Sequence, residues 1–293
     1  MVATGATSRR LGATHAHLAT GLHNLIPRAT LASASASADL AGNPLMANRE
    51  MPRFMAIDHS HVEPAVTALL AQQELAIEAL EKSVDALGGK VRYDDVFVPM
   101  EQLLAPLGYA FGLVGHLMAV KNSDDMRAAH AAAQPAVVAS GSRIAQSEPL
   151  YKAMKTVSTS GEALDNGQRR AVEAGMRDAE LGGVALEGAA KERFNEIQQR
   201  MASLSTTFGN NVLDATTGWS MDITDPAELD GLPPSTLALA AQNSGVEGAT
   251  ADAGPYKLTL DMPVLIPVMT YANSRSLRQT IYMANLTKVA ICI

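Results

Sequence analysis

The chain has 293 residues, 47% of them hydrophobic and 18% charged, with a net charge of −7 at neutral pH. That length suits one or two globular domains, and an acidic chain without a basic face argues against a nucleic-acid partner. A single cysteine, Cys292, excludes a disulfide framework or a Cys-based metal centre within one chain. No run approaches the roughly eighteen apolar residues of a membrane-spanning helix, so no membrane partner is expected.

The first forty residues carry Arg9, Arg10 and Arg28, abound in Ala, Ser and Thr, and hold no acidic residue before Asp39. This is the composition of an organellar transit peptide, and the continuous apolar stretch of a secretory signal is missing. Residues 1–42 are therefore expected to be a disordered leader that directs the protein to chloroplast or mitochondrion.

Helical grammar begins near Asn43. Ser60 followed by Glu63 reads as a capping box opening a helix that runs to about Leu87, with Pro64 near its first turn. Val62, Val66, Leu69, Leu70, Ile77, Leu80, Val84 and Leu87 make its apolar stripe, and Gly88-Gly89 stops it. A second helix is predicted from about Asp94 to Val120, with Phe97, Leu104, Leu107, Phe111, Val114 and Leu117 or Met118 inward. Asn122-Ser123 caps a third that continues to about Val157, bent at Pro135 and Pro149. A break at Ser158–Gly161 precedes a fourth helix, Asp165 to Leu181, ended by Gly182-Gly183.

The clearest periodicity lies between Glu187 and Thr216. Phe194, Ile197, Met201, Leu204, Phe208 and Ala215 form a heptad-like seam, with Asn211 at the missing place. Core packing is the expected role of that stripe. Beyond Gly218, Trp219–Thr224 and Tyr256–Leu260 read as short strands around a small Ala- and Leu-rich helix. Pro263 and Pro267 punctuate the approach to a final helix, about Ser274 to Val289. The expected fold is mostly α, an array of long antiparallel helices with a small strand pair near the C-terminal end. The expected divisions are a helical domain over 43–217 and a second part over 218–293.

Several stretches carry a family likeness: MPRFMAIDHSHVEPAV (Met51 to Val66), FGNNVLDATTGW (Phe208 to Trp219) and MPVLIPVMTYANSRSLR (Met262 to Arg278), linked by His116–Arg127 and Glu196–Phe208. Together they resemble the oligopeptidase A and thimet oligopeptidase family of zinc metallopeptidases, from about Asn43 to Lys288. The resemblance implies the amino-terminal part of a longer, clam-shaped helical fold. It also implies a deep channel that admits short unfolded peptides, cleaved presequences among them. The blocks mark scaffold, and none is a catalytic motif.

The family's zinc site is HExxH on a helix, where two histidines one turn apart hold the metal and the Glu activates its water. No His in this chain is followed by Glu. No catalytic, cofactor-binding or metal-binding residue is therefore assigned, and zinc is expected only for the full-length enzyme. His15, His17 and His23 fall in the leader. His59 and His61, with Glu63 nearby, would chelate only in extended geometry, since two helical positions point about 200° apart. His116, beside the apolar stripe of the second helix, is expected to be partly buried and hydrogen-bonded. Neither a phosphate loop nor a nucleophile elbow is present. Asp124-Asp125 suits a helix start, and Cys292 lacks a partner base. Asn210, Asn211 and Asp214 are expected to be scaffold, with a channel-lining role as the alternative.

The apolar ending Val289–Ile293 departs from the family pattern and suggests a truncated gene model. The functional expectation is an amino-terminal fragment of an organellar zinc metalloendopeptidase, inactive alone. The alternative is a non-catalytic helical peptide-binding or scaffold protein of the same descent.

Overall fold

Apolar stripes alternating with glycine and proline stops fold the chain into nine α-helices and one strand pair among the described residues. The computed structural model describes residue 40, residues 42–47 and residues 51–288. Residues 1–39 and 41 of the leader read as a transit peptide, with its three histidines, and the ending Val289–Ile293 with Cys292 lie outside them.

The amino-terminal helices are α1 (Val62–Leu87), α2 (Tyr93–Val120), α3 (Asp124–Ala145), α4 (Glu148–Thr159) and α5 (Asn166–Leu181). One face of α1 serves two cores. Val66 and Leu69 pack with Leu107, Val114 and Leu117 of α2 and Met126 of α3. Farther along, Leu80 and Val84 join Val96 of α2, Leu150 and Met154 of α4 and Val172 of α5. Each such aliphatic side chain, fully buried, stabilises the fold by about 1.5–3 kcal/mol.

Over an eighteen-residue stretch α2 is long and apolar enough to cross a membrane, contrary to the absence of such a run expected from sequence. About a third of that window is buried inside the protein. Val96, Leu107, Ala110, Leu113, Val114, Leu117 and Met118 are buried against the protein itself.

Local signals set the helix ends, not always those read from sequence. The box before α1 belongs to Asp58, whose carboxylate accepts from the Ser60 amide at 3.0 Å. His61 Nδ1 accepts from the Asp58 amide at 3.0 Å. Ser60 and Glu63 form no such box, because a 3-10 turn over His59–His61 precedes the helix. Ser123 caps α3 as expected, accepting from the Met126 amide.

The long third helix expected to reach Val157 is two helices. Gln146 and Ser147 interrupt it, and Ser147 caps α4 with Pro149 in the first turn. Proline there costs no backbone hydrogen bond, so Pro149 marks a start instead of a bend. Pro135 does lie inside α3. Asp165 and Gln168 form a reciprocal box at the start of α5.

After α5 the chain turns at Gly182-Gly183. A Cβ on Gly182 would come within 2.7 Å of the Ala145 Cβ, and Gly183 has φ +85°. Both facts require glycine.

Then comes α6 (Gly188–Gly218), of which no residue is buried. Its apolar stripe departs from the core role expected of it: Met201 is 56% exposed, Leu204 49% and Phe208 58%. Phe194, Asn211 and Ala215 of the same stripe are half-buried. The helical periodicity is present without the burial.

The chain divides into two compact units, Met1–Gln199 and Arg200–Ile293, so the division falls within α6. The second unit contains β1 (Ser220–Ile223), α7 (Pro234–Asn243), β2 (Tyr256–Thr259), α8 (Met262–Tyr271) and α9 (Arg275–Thr287). The strands pair antiparallel, Ser220 opposite Thr259 and Ile223 opposite Tyr256. Ile223, Leu258 and Leu260 meet Val264 and Val268 of α8 and Leu277 and Ile281 of α9 in a separate core. Helix α8 is an addition to the elements expected from sequence. Pro263 occupies its first turn and Pro267 its interior, so two residues that read as punctuation are carried inside a short helix buried along one side.

Candidate functional site: a polar cleft in the first unit

A cleft of roughly 660 Å³ is lined from α1, α3, α4 and the start of α6. Heptad spacing puts Glu74 and Glu81 on one side of α1, and both reach Arg143 near the end of α3. Arg143 donates from both terminal nitrogens to the two Glu81 oxygens at 2.8 Å each. Its Nε stands 3.3 Å from Glu74. The Ser147 hydroxyl also donates to Glu81. The two-pronged guanidinium contact fixes geometry as well as charge.

The Arg143 hydrogen bond is the main reason the Glu81 carboxyl titrates below its ordinary range. Burial opposes that shift, and Ser147 adds to it. The same pairing pushes Arg143 up.

Amides complete the lining. Gln146 donates from Nε2 to the Gly182 carbonyl at 3.1 Å and to Asn195 Oδ1 at 2.8 Å. Gln199 donates to the Pro135 carbonyl at 2.8 Å. Gln73, buried deeper, accepts from the Ser140 hydroxyl at 2.8 Å.

Chemically the cleft is suited to holding helices together and offering polar contacts. It is not built for acid–base work. Glu81 is kept ionised, Ser147 faces a carboxylate with no imidazole beside it, and no histidine lines the space.

The residues weighed from sequence lie elsewhere. His59 stands beside Asp58, 3.2 Å from Nδ1 to carboxylate, while His61 Nδ1 is already occupied by the Asp58 amide. The pair sits in a 3-10 turn instead of an extended strand. Among the described residues no cluster of three or more His, Cys, Asp or Glu side chains could hold a metal ion.

His116 is exposed, not partly buried, and its ring lies 5.2 Å from that of Phe54. Asn210 and Asn211 are half-buried on α6, and Asp214 is exposed. Asp124 and Asp125 occupy the first turn of α3.

Sequence reasoning missed Glu81, Arg143, Gln146 and Ser147. The one available signal was a glutamate pair in register on α1. Its partner lies 62 residues away, a separation that periodicity does not reach.

Residues 66–191 match the family model described as "Neurolysin/Thimet oligopeptidase, N-terminal domain". The chain is 41% identical over 256 residues to a probable cytosolic oligopeptidase A of Arabidopsis thaliana, covering 86% of this chain and 36% of that protein. It is 40% identical to the organellar (chloroplastic/mitochondrial) oligopeptidase A of the same plant, covering 86% of this chain and 32% of the relative. Against oligopeptidase A of Escherichia coli the identity is 36% over 253 residues, covering 85% and 36% respectively. The chain thus spans about a third of the length of these curated relatives. It belongs to the oligopeptidase A and thimet oligopeptidase family and corresponds to its amino-terminal part.

Proposed function

We propose that this chain supplies the helical amino-terminal portion of an oligopeptidase A-type zinc metalloendopeptidase that degrades short unfolded peptides, including cleaved presequences. The observation that carries this reading is the match itself: most of the chain aligns with only a third of each relative, and the family model within it is an amino-terminal domain. Hydrolysis would then reside in the remainder of the complete enzyme, where paired histidines hold zinc and a glutamate activates its water. This chain has no His followed by Glu, and on this reading it is inactive alone and binds no zinc. An organellar location is supported by the acid-poor, Arg-bearing leader and by one organellar relative, although another is named cytosolic. Neither a nucleic acid nor a membrane is proposed as a partner.

The test is a fluorogenic-peptide assay on the purified chain with added zinc, together with reading the transcript past the codon for Ile293. Inactivity of the chain and an in-frame HExxH downstream support the proposal. Zinc-dependent cleavage by the isolated chain overturns it.

A second reading, a non-catalytic peptide-binding or scaffold protein, draws support from the uncovered Met201, Leu204 and Phe208 stripe. It predicts peptide binding without turnover and a verified stop codon after Ile293.

A further inference from the structure

His130 has no part in the cleft or in any chemistry proposed above, and its surroundings are unusual. It lies on α3, 8% exposed, between the buried Met126 and Ala133. Its ring stacks on that of Phe111 of α2, centroids 4.7 Å apart and planes 20° from parallel. Its Nδ1 is buried with no hydrogen-bond partner. A buried imidazole that is stacked on an aromatic and short of a partner is tolerable only while neutral, because a charge there would lose its hydration without compensation.

We propose that His130 is a pH-sensitive latch: as the neutral ring it fastens α3 to α2, and its protonation loosens that contact. Burial is the single cause that lowers its titration. The titratable groups on the elements packed against α3 include Tyr109 and His116 on α2, Glu63 on α1, and His59 and His61 on the turn before it, with Arg127 on α3 itself. Burial alone, with no contribution from a neighbouring carboxylate, accounts for the direction of the ring's shift.

The direction follows from linkage. In the unfolded chain the ring takes up a proton below about pH 6.5, whereas the folded ring resists until a lower pH. The contribution is therefore complete above that value and is lost as pH falls toward the native titration point. The folding equilibrium shifts by up to about tenfold per pH unit across that window. Below the native titration point the loss stops growing.

The test uses the full chain. Proton NMR of the His130 ring should give a titration midpoint below 6.5, and a midpoint at or above 6.5 overturns the proposal. Denaturant unfolding at about pH 7.5 and about pH 5.5, either side of the ordinary histidine range, should show the acid-induced fall in the wild type. A clearly smaller fall is expected in His130→Phe, which keeps an aromatic ring for Phe111 but cannot protonate. Equal falls in both proteins also overturn the proposal. If His130→Phe does not fold, the NMR titration of the wild type decides alone. Hydrogen exchange, corrected for intrinsic rates, should localise the acid loosening to α3, and unchanged protection there between the two pH values counts against the latch.

Discussion

Helices α1 and α6 both carry an apolar stripe at helical spacing, yet they end in opposite environments. On α1, Val62, Val66, Leu69, Ile77, Leu80 and Val84 are all buried. On α6 no residue is buried, and Met201, Leu204 and Phe208 face solvent. Periodicity reports which side of a helix can be covered. It says nothing about whether the cover lies in the same chain. For α1 the cover is α2 to α4, close in sequence. On α6, Ile197, Met201, Leu204 and Phe208 stay exposed while Phe194 and Ala215 are half-buried, in a chain that spans about a third of its relatives' length.

The contrast can be broken by substitution. Ile77, fully buried on α1, should cost the most: Ile77→Ala is expected to lose about 2–5 kcal/mol of stability in denaturant unfolding. A loss near zero would mean that the α1 face is not the core it resembles.

Glu81→Gln comes next. It keeps the shape but removes the charge that Arg143 and Ser147 grip. About 2 kcal/mol is expected, at the lower part of the range for charged hydrogen bonds because Arg143 remains 37% exposed. The pH dependence has a definite sign. The folded Glu81 titrates below the ordinary glutamate value of 4.5, so its contribution is full above that pH and is lost as acid protonates the folded carboxylate. The variant should lack this acid-sensitive component in a stability profile below pH 4.5.

Ser147→Ala removes the cap of α4 as well as a donor to Glu81, and about 1 kcal/mol is expected. Phe208→Ala sits at the bottom of the scale. An aromatic with 58% of its surface exposed should change stability by less than about 0.5 kcal/mol. Its removal should also lower self-association in sedimentation velocity, since exposed apolar stripes promote it. A loss comparable to that of Ile77→Ala would show that α6 is covered after all.

Much of the fold was legible. Glycine pairs at 88–89 and 182–183, the Ser123 cap, the helix start at Asp165 and most of the α1 stripe each announce a local event that the structure contains, although Leu87 of that stripe is exposed and Leu70 half-buried. Where the reading failed, another local signal competed with it. Asp58 lay within the same few residues as Ser60 and captured the capping role. Pro149 reads as a bend because Ser147, the cap that makes it a start, gives a weaker signal in sequence. Helix α8 was hidden by Pro263 and Pro267, whose usual meaning is interruption. The cleft was hardly legible at all. Glu81, Arg143, Gln146 and Asn195 are ordinary surface residue types until the fold brings them together.

The central proposal is that this chain is scaffold from a metallopeptidase lineage and that the zinc grip belongs to the rest of the complete enzyme. Calorimetric titration of zinc into the purified chain tests it most directly. The account predicts no stoichiometric tight binding, because His59 and His61 are engaged around Asp58 and, among the described residues, no third donor joins them. One zinc bound tightly per chain would contradict it.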